Sequence, residues 1–577
     1  MNAYAISLSK YVNTGIFVLF TLLSYIGFFV QKKNLSRAVE IIQRLLLAAF
    51  LINTNMTIAY FVRGATGRKL ILLCAMEILF LLSFMVLYRI VHEMANMYLF
   101  NNICMLLSVG FVTISRIAFY GSAEITAGRG NEPLKQFVMA SAGLMLMLII
   151  PFFRKIFDAM RHFGIIFAIL GIVPLAGVLL LSQATNGAMI TYTIAGFTFQ
   201  PSEFVKILFI LMLAAMLSGE VTLNKAMLVS VLAAIHVGIL VLSRDLGSAL
   251  IYFIVYLMTL FLASGRWSVF FGGVFLGSAG AVVCALLFPH VMDRVTIWRD
   301  PFVLADGDGY QIVHSLFAIS YGGLWGTGLT QGMPTDIPLV ETDFIFSAIS
   351  EEFGLIFSVC LLVLCLNCFI RILKLSASYS NRFFQLFTYG AGICYIFQTF
   401  LTVGGETKFI PLTGVTLPLV SYGGSSILST LFMLGMVEMV YILHEERTAG
   451  FMERYEQEQQ LLAAGSGDGF SGQGDAGFPG SSFSQGGPRG ETLPDQTPGF
   501  ESGPNDSSQW ENGGFGPQAD GDYASAGSDE MDNFPENGIS EEGIFEEYNP
   551  LQGGQDSSGK NERTDQFGFY HPDGMNK

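Results

Sequence analysis

Four stretches of this chain set ionisable side chains among apolar residues, and the chemistry available to each follows from that mismatch. The first is Ser243-Arg244-Asp245 in VLSRDLGSALIYFIV. A carboxylate at the edge of an apolar helix is costly unless it is paired or faces a water-filled cavity. In a cavity, Asp245 has the character of a proton acceptor. The competing reading is an interfacial ion pair with Arg244 that merely ends a helix. The second stretch is FQPSEFVKI, residues 199–207. Pro201 suits the first turn of a helix, Gln200 or Ser202 can cap it, and Glu203 falls near its positive end. Lys206 lies one turn further on the same face, either paired with Glu203 or reserved as a cation for a phosphate.

The third stretch comprises MDRVTIWRDP (292–301), GYQIVHSLFAISYGGLWGTGL (309–329) and VETDFIFSAISEEFG (340–354). Arg294 and Arg299 are cations suited to a pyrophosphate. Asp343, Glu351 and Glu352 are more acids than a helix start requires. The run YGGLWGTG lacks the terminal Lys-Ser/Thr of a phosphate-binding loop. The fourth stretch, IPLTGVTLPLVSYGGSSILS (410–429), carries two prolines and several serines, among them Ser421 and Ser425, directly before an apolar run. Irregular backbone at membrane depth is tolerated where it is buried in protein or lines a cavity, so this stretch reads as re-entrant and cavity-lining.

The elements that must hold these residues are membrane helices. The chain has 577 residues, 52% hydrophobic and 13% charged, too little charge to cover a soluble protein of that size. Apolar runs long enough to span a bilayer lie near 11–30, 40–62, 70–91, 101–120, 137–153, 163–182, 203–218, 226–243, 248–264, 268–289, 346–370, 384–403 and 425–443. The first run lacks a small-residue cleavage site and leads into further spans, so no signal peptide is expected. The seven cysteines all lie within apolar runs. Cys365 and Cys368 form a CxxC with no second ligand pair nearby, and read as small apolar side chains of a helix.

Lys and Arg cluster in the short loops after the first, fifth, eleventh and last runs (Lys32, Lys33, Arg37; Arg154, Lys155, Arg161; Arg371, Lys374, Arg382; Arg447). Alternating thirteen spans puts these clusters on one side, the cytoplasm, with Arg63, Arg68 and Lys69 the exception. All four chemical stretches then face outward. The formal net charge of -15 belongs to the end of the chain: residues 451–577 hold 24 Asp/Glu and 5 Lys/Arg, leaving 26 Lys/Arg and 22 Asp/Glu before them. From about residue 465 the sequence is rich in Gly, Ser, Pro and acids. It has too little apolar surface to offset chain entropy, and reads as disordered and cytoplasmic. Its scattered aromatics, from Phe470 to Phe569, suit short partner-binding segments or nothing at all. No nucleic-acid-binding pattern appears.

Taken in order, five motifs resemble the SEDS family of peptidoglycan polymerases, the RodA/FtsW/SpoVE group. They are QPSEF at 200–204, DLGSAL at 245–250, YQ at 310–311 with GGLWGTGL after it, TDFIFSAISEEFG at 342–354 and LPLVSYGGSS at 417–426. Asn186-Gly187-Ala188 adds to them, and the match covers about residues 101–447. The resemblance implies a ten-helix membrane core at 101–447, preceded by about three extra transmembrane helices in 1–100 and followed by an acidic tail at 448–577. It implies a glycosyltransferase that polymerises lipid II on the outer face of the cytoplasmic membrane, for division, elongation or sporulation. A class B penicillin-binding protein, a transpeptidase, is the implied partner. Asp245 matches the family's essential outer-facing aspartate, and Asp343 a second important one.

The chain departs from the family where Leu339 and Glu341 replace a Glu and a His, where Met189-Ile190-Thr191 replaces Arg-Trp, and where Thr402 and Lys408 enter the outer loop. The reaction implied is inverting transfer: a sugar hydroxyl, deprotonated by Asp245, attacks a lipid-linked donor and a lipid pyrophosphate leaves. Lys206, Arg294 or a divalent ion (Mg²⁺ or Mn²⁺) would stabilise the leaving charge. Gln311, Asp343, Ser421 and Ser425 would complete the substrate site, with Gln200, Glu203 and Glu352 in support. Glu203, Asp343 and Glu352 are the candidate metal ligands, and no organic cofactor is implied. Two other classes fit parts of the pattern: a lipid II flippase, for which broken helices also suit, and a non-catalytic scaffold with the tail as its platform.

Overall fold

A computed structural model describes residues 3–465 apart from 31, 63, 120–128, 182–191 and 195–196. The expected disordered tail beyond residue 465 and the Asn186–Thr191 segment lie outside the described residues. Sixteen helices follow one another: α1 (Ala3–Ile26), α2 (Lys33–Phe61), α3 (Gly64–Val91), α4 (Met97–Phe119), α5 (Glu132–Ile149), α6 (Arg154–Ala159), α7 (Gly164–Leu181), α8 (Pro201–Leu217), α9 (Leu223–Leu242), α10 (Leu246–Ser264), α11 (Trp267–Leu287), α12 (Pro289–Arg299), α13 (Tyr310–Gly322), α14 (Ile345–Ser378), α15 (Arg382–Glu406) and α16 (Gly424–Gly465). A two-stranded antiparallel ribbon, β1 (Tyr192–Ile194) and β2 (Phe197–Phe199), precedes α8. The protein is an all-helical polytopic membrane protein. Each of the thirteen apolar runs falls on one helix, and nine of the described helices are long and apolar enough to cross a membrane.

The stretch from His290 to Phe346, which holds no apolar run long enough to span, contains α12 and α13, too short and too mixed in composition to stand out. α16 continues without a break to Gly465, so residues 448–465 extend the last helix beyond the core, with 451–460 exposed.

The first three helices belong to the same compact unit as the rest, residues 1–473. A polar chain buried within the helices joins α1 and α2 to α4 and α14. Gln43 Nε2 donates to Ser24 Oγ at 2.7 Å, Ser24 Oγ donates to Asn102 Oδ1 at 2.6 Å, and Asn102 Nδ2 donates to Asn367 Oδ1 at 2.9 Å. Arg371 closes the chain, donating to Asn367 Oδ1 at 2.9 Å and to the Ser24 carbonyl at 2.6 Å. Its guanidinium also lies over the rings of Phe28 and Tyr98. Nearer the other end of α1, Phe17 stacks on Phe357 with ring centroids 4.1 Å apart, and Lys10 Nζ donates to the Gly326 carbonyl at 3.0 Å.

α14 is really two helices joined at Gly354, whose φ of 85° only glycine adopts without strain. The bend admits the segment after α13: Leu355 N donates to the Gly323 carbonyl at 2.9 Å, and Thr327 N and Gly328 N donate to the carbonyls of Glu351 and Glu352. A Cβ on Gly354 would fall 2.2 Å from Gly326 N. We predict that Gly354→Ala destabilises the protein by about 2–4 kcal/mol, combining backbone strain with the clash. Thermal unfolding in detergent should show a lower midpoint; an unchanged midpoint would show that the two backbones can separate at little cost.

Candidate active site

Asp245 owes its position to how α9 stops. Arg244 N donates to the Val241 carbonyl at 3.0 Å and Asp245 N to the Leu240 carbonyl at 2.9 Å, the paired bonds of a Schellman motif. The residue that must turn left-handed in this motif is usually glycine. Here it is Arg244, with φ 63°, at a cost of about 1 kcal/mol. The turn delivers Asp245 to the N-cap of α10, where Oδ1 accepts from Ser248 N at 3.1 Å. The other oxygen, Oδ2, accepts from Ser202 Oγ at 3.2 Å and more weakly from Gln200 Nε2 at 3.4 Å.

Those two donors come from the start of α8, itself fixed from both sides. Gln200 N donates to Ser425 Oγ at 3.1 Å, and Tyr252 OH donates to the Ser202 carbonyl at 2.8 Å. One turn deeper, Glu203 and Lys206 form the ion pair expected of neighbours on a helix face. Lys206 Nζ also donates to Gln398 Oε1 at 3.0 Å, and Ser429 Oγ donates to Glu203 Oε2 at 3.0 Å. The pair thus ties α8 to α15 and α16. Lys206 is only 4% exposed.

The carbonyls of the segment between α15 and α16 are met by side chains. Thr402 Oγ1 donates to the Val415 carbonyl at 2.9 Å and Gln398 Nε2 to the Thr416 carbonyl at 3.0 Å. Gly247 is needed for this approach: a Cβ there would lie 2.3 Å from Val415 Cγ2. From α12, Arg294 Nη1 donates to the Leu412 carbonyl at 2.9 Å, and Trp298 Nε1 donates to the Lys408 carbonyl at 3.0 Å. Asp343 sits beside Gly414, which adopts φ 71°.

Arg294 is within electrostatic reach of both Asp343 and Asp245. Burial pushes the carboxyl of Asp245 above its ordinary range, a shift opposed by the hydrogen bonds from Ser248 and Ser202. Burial likewise raises Asp343, opposed by the Thr342 hydroxyl and by Arg294. Arg294 is lowered by burial and raised by the two aspartates. A half-buried carboxylate with a raised pKa, held by three donors beside a cation, can take a proton from a hydroxyl while the cation meets an anionic group.

Other sequence candidates stand apart. Glu352 is paired with Arg116 Nε at 2.7 Å and accepts from Thr330 N at 3.1 Å; it holds the segment after α13 against α4. Ser421 turns its hydroxyl back to accept from Leu417 N at 2.9 Å, closing a turn in which Leu419 has φ 67°. Gln311 is half-buried in the first turn of α13, without a side-chain hydrogen bond to any described residue. Ser425 alone of the two serines reaches the Asp245 cluster, through Gln200. Glu203, Asp343 and Glu352 do not converge on a common point, and no group of three or more His, Cys, Asp or Glu able to hold a metal occurs among the described residues. Glu203 and Glu352 are occupied by Lys206 and Arg116, so these residues do not fit a protein-held divalent ion.

Several contributors escaped the sequence reading. Gln398 and Tyr252 are polar groups inside apolar spans, a signal that was available. Glu406 looked like a surface residue in GGETK, yet it is fully buried. It accepts from Ser347 N at 2.8 Å, Ser347 Oγ at 2.7 Å and Phe346 N at 3.4 Å, capping α14 just after Asp343. Glu341 pairs with Arg129 at 3.4 Å.

The family model of the FtsW, RodA and SpoVE cell cycle proteins matches residues 94–447. The peptidoglycan glycosyltransferase RodA of Mycobacterium tuberculosis is 35% identical over 357 residues, 59% of this chain and 76% of that protein. The probable peptidoglycan glycosyltransferase FtsW of Aeromonas salmonicida is 34% identical over 304 residues, 51% of this chain and 77% of that protein. A chain from a solved peptidoglycan synthase complex, studied for how it coordinates polymerization and crosslinking, superposes with a TM-score of 0.53 at 27% identity. That superposition covers 61% of this chain and 98% of the other. With more than half of its length matched, the chain belongs to the FtsW/RodA/SpoVE family of cell cycle proteins.

Proposed function

We propose that the chain is a peptidoglycan glycosyltransferase of the cytoplasmic membrane, joining lipid-linked disaccharides (lipid II) into glycan strands with inversion at the anomeric carbon. The observation that carries this is Asp245 at the break between α9 and α10, held by Gln200, Ser202 and Ser248 and within reach of Arg294. The names of its relatives support the same activity. Asp245 Oδ accepts the proton of the acceptor sugar's hydroxyl as that oxygen attacks, and the lipid pyrophosphate departs with the electrons of the broken C–O bond. Arg294 meets the developing charge. Asp343 orients Arg294. Lys206, with Glu203 and Gln398, keeps α8 and its two donors in register. Because the candidate metal ligands do not converge, no step is routed through an ion.

The outward orientation of this site, with the end of the chain in the cytoplasm, rests on the Lys/Arg clusters after the first, fifth, eleventh and last spans. The partner is a class B penicillin-binding protein that crosslinks the strands. Supporting this is the likeness to a chain of a synthase complex in which polymerization and crosslinking are coordinated.

The test is polymerisation of purified lipid II by the purified protein in detergent, with and without the transpeptidase. Asp245→Asn should lower strand formation at least a hundredfold, the usual scale for losing a general base, while insertion and thermal stability are retained. Substantial polymer from this variant would remove Asp245 from the mechanism. A second prediction concerns pH. The base works only when deprotonated, and its folded pKa is raised, so activity should rise with pH along a limb lying above the ordinary aspartate range. Ser202→Ala removes a hydrogen bond to the charged form and should move that limb upward by roughly half to one pH unit. A limb that stays in place or moves down in the kcat/KM profile would show that Asp245 is not the titrating group.

A further inference from the structure

Away from the Asp245 cluster, a cavity of about 480 Å³ opens between α13, residues 331–337 and the first turns of α14. None of its lining residues belongs to the site described above. Glu351 is at its base, 5% exposed. Its Oε1 accepts from Met333 N at 2.8 Å, but Oε2 is buried without a hydrogen-bond partner among the described residues. The adjacent acid, Glu352, is paired directly with Arg116, whereas Glu351, only within electrostatic reach of that guanidinium, keeps Oε2 without a hydrogen-bond partner among the described residues. Asp336, exposed, adds a second carboxylate at the rim. Phe317 and Tyr321 form aromatic walls, with the His314 ring tilted against Tyr310 at a centroid distance of 4.0 Å.

A buried carboxylate oxygen left without a donor is costly, and the cost is recovered when a ligand donates into it. An anionic ligand would be repelled by two acids, and an apolar one would leave Oε2 bare. A metal ion would need more ligands than converge here. An organic cation satisfies every wall at once: its charge meets Glu351 and Asp336, and its methylene stem and charge lie against aromatic faces.

We propose that this cavity binds the free amine of the peptide carried by the glycan substrate, a reading that rests on the glycosyltransferase function proposed above. Crosslinking of a peptide-bearing glycan joins an acyl group to an amine, so a strand leaving its polymerase still carries that amine free. The reach is adequate. Glu351 lies eight residues beyond Asp343, about 12 Å at the helical rise, which an extended peptide spans in roughly four residues.

The experiment compares two substrates for the purified full-length protein: lipid II with its peptide amine free, and lipid II with that amine acetylated. Acetylation should raise KM about tenfold, the scale of one charge-assisted hydrogen bond, and this ratio should fall toward one in Glu351→Gln. Asp336→Asn, at an exposed position that folding does not depend on, should lower the ratio too and carries the test if Glu351→Gln fails to fold. Equal KM for the two substrates in the wild type, or a ratio that persists in the variants, overturns the proposal. Absence of polymer from either substrate overturns the glycosyltransferase reading and this inference with it.

Discussion

No water reaches the hydrocarbon core, so a backbone N–H or C=O released where a helix breaks must be met by protein. This constraint shapes the half of the molecule that holds Asp245. Where α9 gives way to α10, the freed carbonyls are taken by the Schellman bonds of Arg244 and Asp245, and the first N–H groups of α10 by the Asp245 side chain. Where α14 begins, Glu406 takes the N–H groups of Phe346 and Ser347. Where the chain crosses from α15 to α16, Thr402, Gln398 and Arg294 donate to the carbonyls of Val415, Thr416 and Leu412. At the α9–α10 break the bonds that make the broken helix tolerable are the same ones that place Asp245, so backbone satisfaction and the geometry of the proposed site cannot be altered separately.

Charge follows a related division. Arg116 with Glu352 and Lys206 with Glu203 are buried pairs whose members also hydrogen-bond to neighbours. Such pairs repay their desolvation only when fully met, and removing one partner costs several kcal/mol. They serve to fix one helix against another. Asp245 is treated differently. It is half-buried, accepts hydrogen bonds from the neutral donors of Gln200, Ser202 and Ser248, and has Arg294 within electrostatic reach with its guanidinium donating to the Leu412 carbonyl. That leaves the carboxylate able to change its proton, which a tight ion pair would prevent.

Much of this was legible in the sequence because membrane helices announce themselves by length and because charge in an apolar run is rare. Each of the thirteen runs found a helix, and the QPSEF and DLGSAL motifs meet in the structure, where Gln200 and Ser202 donate to Asp245 and Glu203 pairs with Lys206. What was not legible depends on contacts between distant segments. Glu352 looked as available as Asp343 until Arg116, 236 positions away, proved to hold it. The hydroxyl of Ser421 points into its own turn, which no spacing rule reveals. Glu406 reads as a surface acid because its burial is created by the start of α14, about 60 residues earlier. α12 and α13 were missed because short helices on the rim lack a long apolar period, and the end of α16 because a helix leaving the bilayer need not stop at its surface.

The attachment of α1 and α2 follows from the weakness of apolar driving force inside a bilayer. Lipid tails are as apolar as leucine, so helices associate through close packing and through hydrogen bonds that have no alternative partner in lipid. The chain from Gln43 through Ser24, Asn102 and Asn367 to Arg371 supplies such bonds across four helices. Each bond contributes about 0.6 kcal/mol in a membrane setting, but together they specify one register: sliding α1 by a turn would strand a guanidinium and three amides in hydrocarbon. The stacked rings of Phe17 and Phe357 add contact without that selectivity. These helices therefore hold a single placement against α4 and α14, and through Lys10 they reach the same Gly326 segment that the bend at Gly354 admits. The N-terminal helices and the outer loop are in this way mechanically joined, so a displacement of α1 is felt beside Glu351 and Glu352.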